Sequence, residues 1–260
     1  MRPPQPTITT CHAPAFTGLI RSIKHYHFTS TAPLKLHPEG HIELIFQQAD
    51  FYHNTSATHG WQLRPGSFVG GLHEQSYHIR PASANAQLLS IQFYAGTARH
   101  FLPHRLNAFK NRIVDVADAL GRTYAHHTHA VYDAPNASAQ LQWVQQLLEQ
   151  LYSPQPTSPV EQALSQIKHS KGTAKVQQLA SQSGLSVAQF RKRFGEEVGM
   201  SPKSYSKVVR IGHVLESLRH QPRQKLVELA YQSGYFDQAH FTRDFQSVTG
   251  FSPREHLRSA

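Results

Sequence analysis

With 260 residues the chain can hold two domains and a sizeable core, and its single cysteine, Cys11, excludes an internal disulfide and a thiolate zinc site. It lacks the run of about 18 apolar residues that crosses a membrane, and its start lacks the apolar stretch of a signal peptide, so a cytoplasmic protein with no membrane partner is expected. The net charge of +10 is uneven: residues 160–260 carry 15 Lys and Arg against 8 acids, a surplus suited to a polyanionic partner.

Residues 1–152 read as a β-rich unit with trailing helices. "HIELIF" (41–46), "WQL" (61–63), "SFVGG" (67–71), "SYHI" (76–79) and "LLSIQFY" (88–94) are short strands separated by turn residues, as in a small barrel or sandwich. In the last of them Leu89, Ile91 and Phe93 alternate with Ser90, Gln92 and Tyr94, the pattern of a sheet covered on one face. After Gly96 the pattern turns helical, in "TARHFL", in "IVDVADAL", and in residues 139–152 with the stripe Leu141, Val144, Leu148, Leu151.

Nineteen histidines raise the question of metal. In "HPEGHIEL" the side chains of His37, His41 and Glu43 could converge if a turn folds back on the first strand, with His73 and His78 joining them. Histidines are scattered through the whole chain, however, including "AHHTHA" (125–130), and chance clusters follow from that alone, so no metal site and no cofactor is assigned. Catalytic signatures such as a Gly-Xaa-Ser-Xaa-Gly elbow, a phosphate-cradling loop or His-Glu-Xaa-Xaa-His are missing, so no enzyme activity is expected.

The Pro- and Ser-rich stretch at 153–159 is a semi-rigid spacer. It ends with Ser158 as N-cap and Pro159 opening the next helix, so an all-helical domain is expected over 160–260.

That domain contains one phrase twice. "LASQSGLSVAQFRKRFGEEVGMSP" starts at Leu179, and "LAYQSGYFDQAHFTRDFQSVTGFSP" starts at Leu229 with one residue inserted after the glycine. Each copy opens with an amphipathic helix (Val176, Leu179, Ala180; Leu226, Leu229, Ala230) and turns at Gly184 or Gly234. A new helix then starts behind a cap, Ser186 or Asp237, over roughly 187–196 and 238–247, and stops at Gly199 or Gly250 before Ser-Pro. Helix, tight turn, helix is either a DNA-reading plan or a plain helical hairpin, and the helix faces decide. With Phe190 and Phe194 buried, the first helix exposes Ala188, Gln189, Arg191, Lys192 and Arg193; with Phe241 and Phe245 buried, the second exposes Gln238, Ala239, His240, Thr242 and Arg243. Arg and Gln can pair with guanine and adenine edges, and Ala and Thr methyls can touch a thymine methyl. Between the copies Tyr205, Val208, Val209, Leu215 and Leu218 stripe one helix of about 17 residues, closed by Pro222.

Two such units joined by one long helix, with "SP..Y....R" after the first and "GYFDQAHFTRDFQSVTGFSP" in the second, resemble the DNA-binding domain of AraC/XylS-type transcription regulators. The resemblance runs from Lys175 to the end and places Arg210 at the family's linker-helix arginine. It implies an α+β chain: a β-rich sensor or dimerisation domain, then a double helix-turn-helix domain. It implies a sequence-specific transcription activator that binds double-stranded DNA across two adjacent major grooves and meets RNA polymerase. A small-molecule effector and a second copy of the chain are the implied partners of the N-terminal domain. Carried over, the base-reading candidates are Ala188, Gln189, Arg191 and Lys192 in the first helix, and Gln238, Ala239, His240, Thr242 and Arg243 in the second; Ser186 and Lys203 are expected as further DNA contacts, Lys203 to phosphate. Ala188 departs from the larger side chain common at its position, and the cysteine clusters of DNA-repair alkyltransferases that share this domain are missing. The alternative expectation is a cupin-like metal-binding sensor or metalloenzyme with a DNA-binding tail.

Overall fold

Hydrogen-bonded strands and helices divide the chain much as its hydrophobic periods do. The computed structural model describes residues 5–54, 60–64, 66–221 and 224–259, so the helix end expected at Pro222 lies outside the described residues. Two compact units result: residues 1–36, 41–72 and 77–156 form one, and residues 37–40, 73–76 and 157–260 form the other.

In the first unit the strands are β1 (Thr7–Cys11), β2 (Ile20–Phe28), β3 (Leu34–Leu36), β4 (His41–Gln47), β5 (Phe51–Asn54), β6 (Gln62–Arg64), β7 (Ser67–Gly70), β8 (Tyr77–Pro81), β9 (Ala86–Tyr94) and β10 (Ile113–Asp115). They form a six-stranded sheet in the order β1-β2-β9-β4-β7-β10 and a four-stranded sheet in the order β3-β8-β5-β6. Neighbouring strands pair antiparallel throughout. On one face of the larger sheet Ile42, Leu44 and Phe46 stand opposite Phe93, Ile91 and Leu89, all buried. That face meets Phe101, whose ring lies 4.9 Å from that of Phe93. The other face turns toward the smaller sheet, where Phe28, Ile45, Phe68 and Leu88 pack with Phe51 and Ile79.

The alternation in β9 therefore does not mark a solvated face. Ser90 and Gln92 are 1% and 2% exposed. Their polarity is satisfied inside: both donate to Glu43 Oε1, at 3.1 and 2.7 Å, and Gln92 Oε1 accepts from Ser22 Oγ at 2.9 Å. A buried polar group is tolerated when it is hydrogen-bonded, and this row is.

The helical segments also differ from their sequence reading. "TARHFL" forms only a single 3-10 turn, Ala98–His100, and "IVDVADAL" splits into β10 and α1 (Val116–Leu120) where Asp115 caps the helix by accepting from Ala117 N. An unexpected α2 (Arg122–Tyr132) contains the histidine-rich stretch. Its Tyr132 hydroxyl accepts from Gln47 N at 2.8 Å and lies 3.0 Å from Ser67 Oγ. Then α3 (Ala137–Leu151) buries Val144, Leu147, Leu148 and Leu151, close to the expected stripe.

The second unit contains α4 (Pro159–His169), α5 (Val176–Gln182), α6 (Val187–Val198), α7 (Pro202–His220), α8 (Leu226–Gln232), α9 (Gln238–Thr249) and α10 (Pro253–Ser259). Ser158 caps α4 by accepting from Val160 N, with Pro159 in the first turn. α7 is two residues longer than its stripe suggested; its 19 residues span about 28 Å. Near its start Tyr205 packs on Phe194 of α6, ring centres 5.9 Å apart. Further along, Ile211, Val214, Leu215 and Leu218 join Leu229, Ala230, Tyr235, Phe241, Phe245 and Val248 in one core. One long helix thus serves as a wall for both repeats.

Candidate nucleic-acid interface

The two repeats fold alike through their turns. Gly184 and Gly234 take φ of +65° and +76°, values glycine adopts without steric cost. Leu185 N–H donates to Ala180 O and Tyr235 N–H donates to Ala230 O, at 3.1 and 3.0 Å. Beyond this point they differ. Ser186 follows Leu185 directly and caps α6, while Phe236 intervenes before Asp237 caps α9 by accepting from His240 N at 2.7 Å.

The buried faces of α6 and α9 are those expected, Phe190 with Phe194 and Phe241 with Phe245, each fully buried. Opposite them Ala188, Gln189, Arg191, Lys192 and Arg193 of α6 are exposed, as are Gln238, Ala239, His240 and Arg243 of α9; Thr242 is half-buried. Ser186 is exposed at the N-cap of α6, and Lys203 is exposed in the first turn of α7.

Sequence reasoning could not see how these side chains are occupied. Ser186 Oγ accepts from Gln189 N at 3.2 Å while Gln189 Oε1 accepts from Ser186 N at 3.0 Å, a reciprocal capping box. The Gln189 carboxamide oxygen is thereby held on the Ser186 backbone with one of its two lone pairs taken, whereas pairing with an adenine edge needs donor and acceptor together. Arg193 donates through Nε to Glu197 Oε1 at 2.7 Å, and His240 Nε2 lies 3.5 Å from Asp244 Oδ2. Arg191, Lys192 and Arg243 enter no ion pair among the described residues, so these three guanidinium and ammonium groups are the open cations of the two helices.

The metal candidates are divided between the two units. His37 belongs to the second unit, where its Nδ1 is 2.7 Å from Ser76 Oγ. His41 and Glu43 lie in the first unit with Nε2 and Oε1 2.9 Å apart, and His41 Nδ1 is 2.7 Å from Arg21 Nη1, so both ring nitrogens are engaged. Burial alone would raise the Glu43 carboxyl; the hydrogen bond and charge of His41, with the bonds from Gln92 and Ser90, outweigh it and hold the group at about 2. Among the described residues no group of three or more His, Cys, Asp or Glu is gathered as a metal would need.

Residues 179–259 match a family model described as a helix-turn-helix domain. The chain therefore contains a helix-turn-helix domain. Residues 13–115 match a second model, described as a domain of unknown function (DUF6597). A relative from Haemophilus influenzae, an uncharacterized HTH-type transcriptional regulator, is 31% identical over 84 residues, which are 32% of this chain and 28% of that protein. The chain thus spans less than a third of the length of that curated relative. Among solved structures, ToxT from Vibrio cholerae bound to (E)-4-(8-methylnaphthalen-1-yl)but-3-enoic acid is 12% identical, with 93% of this chain and 99% of that one covered and a TM-score of 0.49. The AraC-like transcriptional activator CuxR is 13% identical, with coverage of 81% and 79% and a TM-score of 0.36. Among the described residues no helix is long and apolar enough to cross a membrane.

Proposed function

We propose that the protein is a sequence-specific DNA-binding transcription regulator, an activator, that reads two adjacent major grooves with α6 and α9. The carrying observation is that both helices bury their phenylalanines while α6 exposes Arg191 and Lys192 and α9 exposes Gln238 and Arg243 in their N-terminal halves, the ends that contact base edges in helix-turn-helix docking. In this reading Ala188, Gln189, Arg191 and Lys192 face one groove, and Gln238, Ala239, His240, Thr242 and Arg243 the next. Ser186 and Lys203 meet phosphate. The match of residues 179–259 to a helix-turn-helix domain supports the assignment.

The unit before the 153–159 spacer is assigned effector sensing or dimerisation, and RNA polymerase is the partner an activator requires. No catalytic step enters this function. Because α6 and α9 expose different residues, one protomer reads two unlike half-sites. The test is selection of binding sites by the full chain from a randomised double-stranded DNA pool, followed by footprinting of the winners. An asymmetric site protected over roughly two turns on one side of the duplex is expected, given the spacing of adjacent grooves. No enrichment overturns the function; a protected single half-site overturns the two-groove reading.

A further inference from the structure

Phe236 is the residue by which the second repeat exceeds the first. The turns stay in register through Leu185 and Tyr235, whose N–H groups make equivalent bonds to Ala180 and Ala230. The next residue is the cap Ser186 in one repeat and Phe236 in the other. The turn has no packing use for it, because Tyr235 already fills the core position at 2% exposed. Phe236 is 91% exposed, the highest value among the exposed large hydrophobic residues described.

An aromatic ring left in water forgoes the favourable transfer that burial provides, which directs attention to what covers it in a complex. Its surroundings define the partner. Gln238, Ala239, His240 and Arg243 are exposed in the same end of α9, and residues 160–260 carry a surplus of +7. The neighbouring carboxylate, Asp237, is occupied in capping α9. This is a cationic, hydrogen-bonding surface with a large apolar group at its tip, complementary to a polyanion that presents isolated apolar groups among polar edges. The major groove is such a surface, and its apolar feature is the C5-methyl group of thymine.

We propose that Phe236 is a specificity-determining residue that packs its ring on a thymine methyl at the edge of the half-site read by α9. This rests on the DNA-reading function above and adds to it an apolar contact at a residue outside the carried-over set.

Full-length wild-type and Phe236→Ala proteins each select sites from a randomised double-stranded DNA pool. The wild-type winner is then synthesised with each thymine replaced singly by deoxyuridine, which removes only the methyl group. One thymine in the α9 half should matter, its loss weakening wild-type binding about fourfold, the weight of one methyl group taken out of water. Phe236→Ala should bind the thymine site several-fold more weakly, show no response to that replacement, and select without preference at that base. Replacements in the α6 half should affect both proteins alike. Phe236 is 91% exposed, so an unchanged unfolding midpoint is expected of the variant and separates lost contact from lost fold. Identical base preferences and identical deoxyuridine responses in the two proteins overturn the proposal and leave the ring to a protein partner. Absence of enrichment by the wild type overturns the DNA-reading function itself, and this contact with it.

Discussion

The Arg210 guanidinium carbon lies 5.0 Å from the centre of the Tyr235 ring, while its Nε and Nη2 both donate to the Gly172 carbonyl. One side chain on α7 thereby ties the turn after α4 to the turn of the second repeat. Burial raises the Tyr235 phenol, the Asp244 carboxylate raises it further, and Arg210 opposes both, so the phenol stays protonated and donates to Asp244 Oδ2 at 3.2 Å. Arg210→Ala removes a charge-assisted hydrogen bond and a cation–ring contact and should destabilise the helical unit by about 2 to 4 kcal/mol. Arg210→Lys should recover only part, since an ammonium cannot place two donors in a fixed fork. Denaturant unfolding of the full chain measures both.

Gly172 sits at a place where no side chain fits. Its φ is +80°, and a Cβ there would lie 2.2 Å from the Ser206 carbonyl oxygen on α7. Gly172→Ala should cost at least about 2 kcal/mol, combining left-handed strain with displacement of the long helix. A stability equal to wild type would show that α7 can shift without penalty.

Acid should act on the sheet unit through Glu43. Its folded value of about 2 lies below the ordinary 4.5, so it contributes stability above pH 4.5 that is lost as pH falls through 2. The full contribution is on the order of 3 kcal/mol. Comparing wild type with Glu43→Gln across this window isolates the group: the variant should be less stable near neutral pH, with the difference narrowing in acid.

Side chains of the two recognition helices should separate by the kind of loss they produce. Arg243→Ala and Gln238→Ala should each cost about 1 to 3 kcal/mol and relax preference at one base position. Lys203→Ala should weaken all sequences equally and lower the salt slope by about one. Phe241→Ala serves as the folding control, losing roughly 3 to 5 kcal/mol of stability. If Arg243→Ala and Gln238→Ala keep the wild-type preferences, α9 is a phosphate clamp.

Binding should weaken steeply with salt, the log–log slope approaching about −0.9 for each phosphate neutralised. Titrating a selected site from low to physiological salt measures it, and a flat response would remove the electrostatic basis of the interface.

The helical half was legible because its signals are local. Caps, glycine turns and the Phe190–Phe194 and Phe241–Phe245 spacings lie within a few residues of what they control, and α6 and α9 run only two residues beyond the stretches expected. The sheet half was less so. β1, β2, β3, β5 and β10 went unread, in part because Ile20–Phe28 mixes apolar with basic and histidine side chains and its partners stand far away in sequence. Ser90 and Gln92 looked solvated because their alternation is that of an exposed face; only the arrival of Glu43 from β4 shows that they line an interior. Side-chain commitments such as the Gln189 capping bond were likewise hidden, since composition gives a residue's donors and acceptors but not which are taken.

The placing of β2 between β1 and β9 has a consequence in time. Ile23 pairs with Ile91, so the edge of β2 away from β1 must wait for a strand made long after it. The helical unit has no such delay, because most of its partners are sequence neighbours. Folding rate falls as contacts become less local. A chain diluted from denaturant should therefore gain its helical unit first and close its larger sheet last, and during synthesis β2 leaves the ribosome with the edge meant for β9 unpaired. The histidines and lysine that punctuate it, Lys24, His25 and His27, interrupt what would otherwise be an apolar edge at its most vulnerable moment.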